Sequence, residues 1–445
     1  VNTILQNLRD AFSGDDDFFL QEETLIENPV VLAGCHSLMD LVLTKLSLQT
    51  YVNTAKQSNL TIDELKNVLG EVKVPADTKD LVTSIITGKL LIYFENDGSF
   101  VIMTPSPNPI NRAIEPPINE NVFLGSQNSF TEDINYNIGM LRKQISSDRI
   151  RVQSHLIGEE PTKLSLIYYE GHTNMELVQT IVEQIEKNKN KSIENLQQLS
   201  RLIIGLPSWT IISKFNQTEL PQEAAKFLRK GRAILFVDRL PLALVVPGLF
   251  MDIFCMDSDR NLPLPLMWFL RVTRVIGAWL ALILPGLYVA LVSVNPEVLR
   301  IELALSIAQT RSGIPYPSIV EILLMLIIIE LVIEASIRLP KNIGPTITMV
   351  GGIILGQAVV QAKLVSNLLI IVIAATTIAN STIVGLQQSL ALRISKYVIV
   401  VMAALFGVLG ILEGLVLVCA YLASLNTYGI PYLSFSKRMD EINRG

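Results

Sequence analysis

Residues 312–380 read SGIPYPSIVEILLMLIIIELVIEASIRLPKNIGPTITMVGGIILGQAVVQAKLVSNLLIIVIAATTIAN. The stretch is apolar enough to lie in a lipid bilayer, yet it holds Glu321, Glu330, Glu334, Arg338, Gln357, Gln361 and Asn380 in or beside its apolar runs. A charged side chain near the centre of a membrane helix costs roughly 2.5–3.5 kcal/mol on insertion scales. Each of these charges therefore needs a proton, a partner, water or a neighbouring chain. Glu330, Glu334 and Arg338 are spaced four apart and share one helix face. Two readings stand: a pore-facing or subunit-facing acidic stripe that draws monovalent cations, or an ion-pair ladder that holds a helix bundle together. Glu321 lies about 180° around the helix from Glu330, at roughly 100° per residue, and reads as a helix-end carboxylate.

The polar residues downstream divide similarly. Gly352 and Gly356 form a GxxxG that permits close helix contact, and Gln357 and Gln361 on the same helix read as interhelical hydrogen-bonding groups. Asn380, with Thr376, Thr377, Ser381 and Thr382, makes a polar cluster that lines a water path or bonds a neighbouring helix. Gly407, Gly410 and Gly414 repeat the close-packing theme, and Arg271 and Arg274 read as snorkelling to the membrane surface.

The rest of the chain differs in composition. Of 445 residues half are hydrophobic, and the mean hydropathy of +0.42 is high for a soluble protein of this length. Residues 264–426 carry fifteen charges in 163 residues, with no Asp, whereas the other 282 residues carry 62 charges and a net −8. That division predicts an acidic soluble region followed by an integral membrane region. Expected spans are 275–294, 319–337, 345–362, 365–386 and 397–424, about 20 helical residues being needed to cross a bilayer core of about 30 Å. A sixth apolar stretch, 240–256, holds Pro241, Pro247 and Asp252 and reads as interfacial or re-entrant, while 296–314 reads as an interfacial amphipathic helix. Basic residues leave the orientation open. Five spans put Arg338, Lys341, Arg393 and Lys396 on the same side as the N-terminal region, and six put them on the other.

Upstream, TIDE at 61–64 has capping-box form, and 90–103 reads as a hairpin around Asn96-Asp97-Gly98. The prolines from 105 to 117 mark a connector. Residues 130–145 read as a helix capped by Thr131, followed by a strand at 164–169, a helix at 175–189 and a strand at 232–238. The fold class is thus an α/β or α+β soluble region followed by an α-helical transmembrane bundle of five to six segments. Expected bounds are 1–110 and 111–238 for two soluble subdomains, 239–262 for the interfacial segment, 263–426 for the membrane domain and 427–445 for a polar tail.

The acidic opening, GDDDFF at 14–19, does not have signal-peptide form, which places the N-terminal region on the cytosolic side. Cys35, Cys255 and Cys419 are scattered without metal spacing and are expected to be buried thiols. No Walker A, GxGxxG, HExxH or GxSxG occurs, and the three histidines are isolated. Neither an enzyme, a cofactor, a metal nor nucleic-acid binding is expected.

Several motifs in shared order resemble one family. RSGIPYP at 311–317 is followed by Glu321, Glu330, Glu334-Ala335 and Arg338-Leu339-Pro340. Ile343-Gly344, Val350-Gly351-Gly352 and Gly356-Gln357-Ala358 come next. Upstream stand FTED at 130–133 with Asn137 and Arg142, then GRAILFVD at 231–238 with Pro241 and Pro247. Over residues 85–435 the chain resembles the A-subunit family of bacterial spore germinant receptors, the GerA type. Two departures stand out: Leu124-Gly125-Ser126 replaces a common Arg-Gly-Pro, and Ile333 replaces an Arg that commonly precedes Glu-Ala. The resemblance implies a subunit of a nutrient-responsive complex in the spore inner membrane, acting with a permease-like B subunit and a lipoprotein C subunit. It further implies a homo-oligomer that releases cations such as K⁺, with two α/β subdomains in its soluble region. A non-conducting scaffold of the same complex is the alternative.

Overall fold

The computed structural model describes residues 2–26, 28–58, 61–73, 77–107, 116–117, 120, 126–191, 195–205, 210–256, 258–340 and 344–434. The first subdomain runs α1 (Asn2–Ala11), β1 (Phe18–Leu25), β2 (Asn28–Cys35), α2 (Leu41–Gln57), α3 (Ile62–Leu69), β3 (Glu71–Lys73), α4 (Thr78–Ile86), β4 (Leu90–Phe94) and β5 (Ser99–Met103). Its sheet has the order β1-β2-β4-β5-β3, with every neighbouring pair antiparallel. The capping box forms: the Thr61 hydroxyl accepts from the Glu64 amide at 3.4 Å, and Glu64 accepts from the Thr61 amide at 2.8 Å. The 90–103 hairpin also forms, with Gly98 at φ 71° in its turn. β4 is apolar without alternation because helices cover both sheet faces. Leu90, Ile92 and Phe94 face the core shared with α2 and α3, whereas Leu91 and Tyr93 face the one shared with α1 and α4.

The second subdomain repeats the plan with α5 (Ile134–Gln144), β6 (Ile150–Ile157), β7 (Thr162–Tyr169), α6 (Met175–Lys187), α7 (Leu196–Ile204), β8 (Asn216–Thr218), α8 (Pro221–Arg229), β9 (Ala233–Val237) and β10 (Ala243–Val246). Its antiparallel sheet has the order β6-β7-β9-β10-β8. Of the two soluble classes expected, the antiparallel sheets make this α+β. α5 is capped by Asp133, which accepts from the amides of Asn135 and Tyr136. Thr131, expected as that cap, instead bonds the Asn137 side chain.

The 239–262 segment departs from the interfacial or re-entrant expectation. Residues 243–246 are β10, paired with β9 on one side and β8 on the other, and all four are buried. A buried central strand and a lipid-facing segment demand the same apolar composition, so periodicity does not separate them. Asp252, in a short 3₁₀ turn (Phe250–Phe254), accepts from both terminal nitrogens of Arg232 at 2.6 and 2.9 Å and from Asn216 at 2.6 Å. Burial pushes the Asp252 carboxyl up, but the Arg232 guanidinium and these hydrogen bonds outweigh it and hold it below the ordinary carboxylate range. A depressed folded value means stability that is present above the unfolded value of about 3.9 and is lost as pH falls through the lower folded value. Asp252→Asn is therefore expected to lower thermal stability at pH 7 by about 3 kcal/mol. The gap to wild type should close as both proteins are titrated below pH ~3.9; a gap independent of pH would contradict the assignment.

The two subdomains meet at a buried ion cluster. Asp15 and Asp17, just before β1, accept from Arg142 of α5: Nη2 to Asp15 at 2.6 Å and Nε to Asp17 at 2.8 Å. Asp17 also accepts from the Ser37 amide and hydroxyl, and Asp16 accepts from the Ser154 amide at 2.7 Å. Arg142 is only 1% exposed. Burial raises the Asp15 carboxyl, with Arg142 opposing it.

The chain then enters its apolar half: α9 (Leu264–Val289), continued by a π turn (Ala290–Val294), α10 (Ile301–Thr310), α11 (Ser318–Arg338), α12 (Gly344–Gln361), α13 (Asn367–Asn380) and α14 (Leu386–Ser424), closed by the short pair β11 (Asn426–Thr427) and β12 (Ile430–Pro431). Among the described residues two helices are long and apolar enough to cross a membrane, Leu264–Val294 and Gln387–Ser424, rather than five to six. The physical reasons are length and charge. α12 and α13, with 18 and 14 residues, reach about 27 and 21 Å against a core of about 30 Å. α11 has the length but carries Glu321, Glu330, Glu334 and Arg338.

α9 and α14 pack along each other. α14 breaks at Gly407 (φ 63°, ψ −136°), where the Asn295 side-chain oxygen accepts from the Val408 amide at 3.0 Å. A Cβ at position 407 would fall on that same oxygen, so both the left-handed backbone and the close approach require glycine. Arg274, expected to snorkel, is instead buried: both its terminal nitrogens donate to Asp259, at 2.5 and 2.8 Å. Of the three thiols, Cys35 is buried and Cys419 is exposed. Lys341, Ile343, residues 121–125 and the tail from 435 lie outside the described residues.

A candidate charge site between two apolar helices

α11 follows Pro317 and runs from Ser318 to Arg338, its apolar sequence interrupted by Glu321, Glu330 and Glu334. Its three glutamates go to three places. Glu321, read from sequence as a simple helix-end group, is buried at 1% exposure. Its Oε1 accepts from the Ser366 amide at 2.5 Å, and Ser366 is the N-cap of α13. The Tyr288 hydroxyl of α9 donates to its other oxygen at 3.3 Å, and Arg311 stands 3.5 Å away. Glu321 thus ties α9, α11 and the start of α13 together, with its charge against a helix N-terminus where an anion is favoured.

Glu330 turns the opposite way, onto α14. Its carboxylate accepts from Lys396 Nζ at 3.1 Å and Arg393 Nε at 3.2 Å, and it forms an ion pair with the Arg393 guanidinium. Arg393 and Lys396 are 9% and 6% exposed. Two cations against one carboxylate leave the cluster one net positive charge, so Glu330 is not a bare acid awaiting a cation. Sequence alone does not mark Arg393 and Lys396 as a site. The usable signal was their i,i+3 spacing inside apolar sequence, which places both on one face of a helix.

The stripe therefore divides. One turn beyond Glu330, Glu334 accepts from Arg338 Nε and Nη2 at 2.9 and 2.7 Å. Both side chains are exposed, at 58% and 78%. Around them Leu331 and Ile337 are also exposed. On α14, Ser389 lies one turn before Arg393, and its hydroxyl accepts from Asn380 Nδ2 at 2.9 Å. The Asn380 Oδ1 is buried without a partner among the described residues. Glu330 from α11 and Asn380 from α13 thus both bond to α14. Among the described residues nothing lies within 4 Å of where a Cβ would stand on Gly352 or Gly356. Gln357 and Gln361 are exposed beside them.

What this arrangement can do is hold or release. The Glu330–Arg393–Lys396 cluster fixes α11 to α14, while the exposed polar groups on α11 and α12 face outward from a single chain.

The comparisons with known proteins bear on the whole length. The family model described as Bacillus/Clostridium GerA spore germination protein matches residues 6–443, which extends the 85–435 resemblance through the first subdomain. Spore germination protein GerLA of Bacillus cereus is 30% identical over 438 residues, covering 96% of this chain and 88% of that protein. Spore germination protein A1 of Bacillus subtilis (strain 168) is 28% identical over 429 residues, covering 93% and 87%. A crystal structure of the N-terminal domain of the A subunit of the Bacillus megaterium spore germinant receptor GerK3 aligns at 22% identity and a TM-score of 0.40, covering 55% of this chain and 94% of that one.

Proposed function

This chain belongs to the GerA spore germination protein family, and on that premise we propose that it is the A subunit of a nutrient-responsive germinant receptor whose copies assemble in the spore inner membrane around a cation path. The observation that carries the reading is the exposed Glu334–Arg338 pair in an apolar domain. Two ionised groups left against lipid cost several kcal/mol together, and water or a second copy removes that cost. The open GxxxG face of Gly352 and Gly356, with Gln357 and Gln361 beside it, fits the same neighbour. In such an assembly the exposed faces of α11, α12 and α13 are covered by other copies and by the permease-like B subunit, with a lipoprotein C subunit as the third member.

In this reading Glu330, Arg393 and Lys396 form the gate rather than the attractant. Releasing Glu330 frees α11 from α14 and turns a carboxylate toward the path. A scaffold that conducts nothing is the second reading, and the neutralisation of Glu330 by two cations favours it. Glu334→Gln with Arg338→Gln separates the two, since the pair is exposed and its loss leaves no buried charge behind. The double variant is expected to assemble normally and to slow nutrient-triggered K⁺ release from spores by about an order of magnitude. Release at the wild-type rate would remove these residues from any ion path.

A further inference from the structure

Between Ser318 and Ser424, the side chains of Glu321, Glu330, Glu334, Arg338, Arg393 and Lys396 all hold ion pairs. Among the described residues of that stretch, two charged side chains have neither a hydrogen bond nor an ion pair: Glu413 and Lys363. Both are exposed, and they are opposite in sign. Lys363 is laid over Gly313, where an added Cβ would stand 3.0 Å from its Nζ. Glu413 lies six residues past the break at Gly407, about 9 Å along an apolar helix. An ionised group left against lipid is costly, so each of these two calls for a partner from outside the chain.

The two charges stand in one layer of the helix bundle. α14 folds back on itself at Gly407: a Cβ on Gly410 would fall on the Met402 carbonyl oxygen, and one on Gly414 would stand 3.1 Å from the Ile399 Cα. Residues 408–424 thus run antiparallel to the first arm of α14, and Glu413 lies level with Ile399. Gly286 of α9 packs on the same Ile399, at 3.1 Å from where its Cβ would stand. Two residues further along α9, the Tyr288 hydroxyl shares a hydrogen bond of 2.9 Å with Ser366, three residues after Lys363. Rotation about an axis parallel to the helices preserves depth, so it carries Lys363 of one copy to the level of Glu413 of another. The faces around the two charges are open as well. Leu409, Leu412 and Val416 are exposed beside Glu413 at helical spacing, and Met349 and Ile353 are exposed on α12, which leads up to Lys363. We propose that the Glu413 face of residues 408–424 docks onto the α12 face of a second copy of this chain, with Glu413 paired to that copy's Lys363. A second copy supplies the missing cation at the matching depth with no further component. The two faces differ, so the contact is heterologous: every copy offers one of each, and contacts at constant depth close a ring. The inference rests on the reading that copies assemble, and adds the surface through which they meet.

The test uses the full chain in lipid nanodiscs, its oligomer fraction read by mass photometry, and thiol cross-linking of the same chain in membranes. Glu413→Lys and Lys363→Glu are each expected to lower the oligomer fraction roughly tenfold, and the double swap Glu413→Lys, Lys363→Glu should restore it, as a close charge pair at an interface requires. For cross-linking, Cys35→Ala, Cys255→Ala and Cys419→Ala remove the native thiols, and Ala362→Cys with Val416→Cys places one thiol beside each charge while leaving the pair intact. A bismaleimide should then give a ladder that runs past the dimer, because each copy carries both faces, and either cysteine alone should give no ladder. If the single swaps do not fold, Glu413→Gln should still lower the oligomer fraction severalfold, and the ladder decides independently. Wild-type oligomers with no ladder, or swaps that the double variant does not rescue, would overturn this interface and leave the assembly reading standing. A wild-type chain that stays monomeric in both measurements would overturn the two together.

Discussion

Arg142→Met is expected to cost about 3–5 kcal/mol, because it leaves the carboxylates of Asp15 and Asp17 buried without their cation. Both acids are nearly inaccessible, with side chains 0% and 5% exposed. Asp17 keeps its two bonds from Ser37, but Asp15 loses its charged partner. The damage falls on the contact between subdomains, since Arg142 stands on α5 and both acids precede β1. Limited proteolysis should run faster, and the thermal midpoint should fall. Arg142→Lys restores the charge but not the fork that reaches two carboxylates at once, so it should recover only part. The triple change Asp15→Asn, Asp17→Asn, Arg142→Met should recover most of the loss, because removing all charges together leaves none unpaired. A full loss in the triple variant would mean that packing of the Arg142 stem, and not the charge cluster, holds the subdomains.

Glu330→Gln is expected to be comparably costly, about 3–5 kcal/mol, since it strands Arg393 and Lys396 inside the helix bundle. The direct readout is the thermal midpoint of the detergent-purified chain, which should drop well below that of Glu334→Gln. The latter removes one partner of an exposed pair, and such pairs are worth about 1 kcal/mol or less. The companion variant Glu330→Leu, Arg393→Leu, Lys396→Met replaces the cluster by apolar groups and should regain stability. Its germination response then separates gate from scaffold. A stable bundle that no longer answers nutrient assigns the cluster to gating, while a stable bundle with a normal response makes it a structural pair alone.

Local patterns carried far in this sequence, and distant pairings did not. The Thr61–Glu64 capping box and the hairpin at 90–103 were legible because everything that forms them lies within a few residues. The run Asp15-Asp16-Asp17 spoke only against a signal peptide, for its partner Arg142 stands 125 residues away from Asp17. Arg393 and Lys396 read as loop charges because apolar periodicity does not show where a long helix starts; α14 begins at Leu386 and carries both inside. Glu321 looked ordinary at a helix start, and only the fold brings Ser366, Tyr288 and Arg311 to it. The 240–256 stretch failed for another reason, since β10 is buried between two strands and needs the same residues that lipid would accept. Within the candidate site, the sequence placed Glu330, Glu334 and Arg338 on one face, and the fold then gave Glu330 to α14 and left the other two outside.

The central claim is that copies of this chain, with their receptor partners, open a cation path when nutrient binds. Reconstitution of the intact receptor into K⁺-loaded vesicles tests it most directly, with external K⁺ followed after a nutrient mixture is added. The account predicts a nutrient-dependent leak that the Glu334→Gln, Arg338→Gln pair slows by about an order of magnitude. An assembled receptor that binds nutrient and leaks no K⁺ would contradict it and leave the scaffold reading in its place.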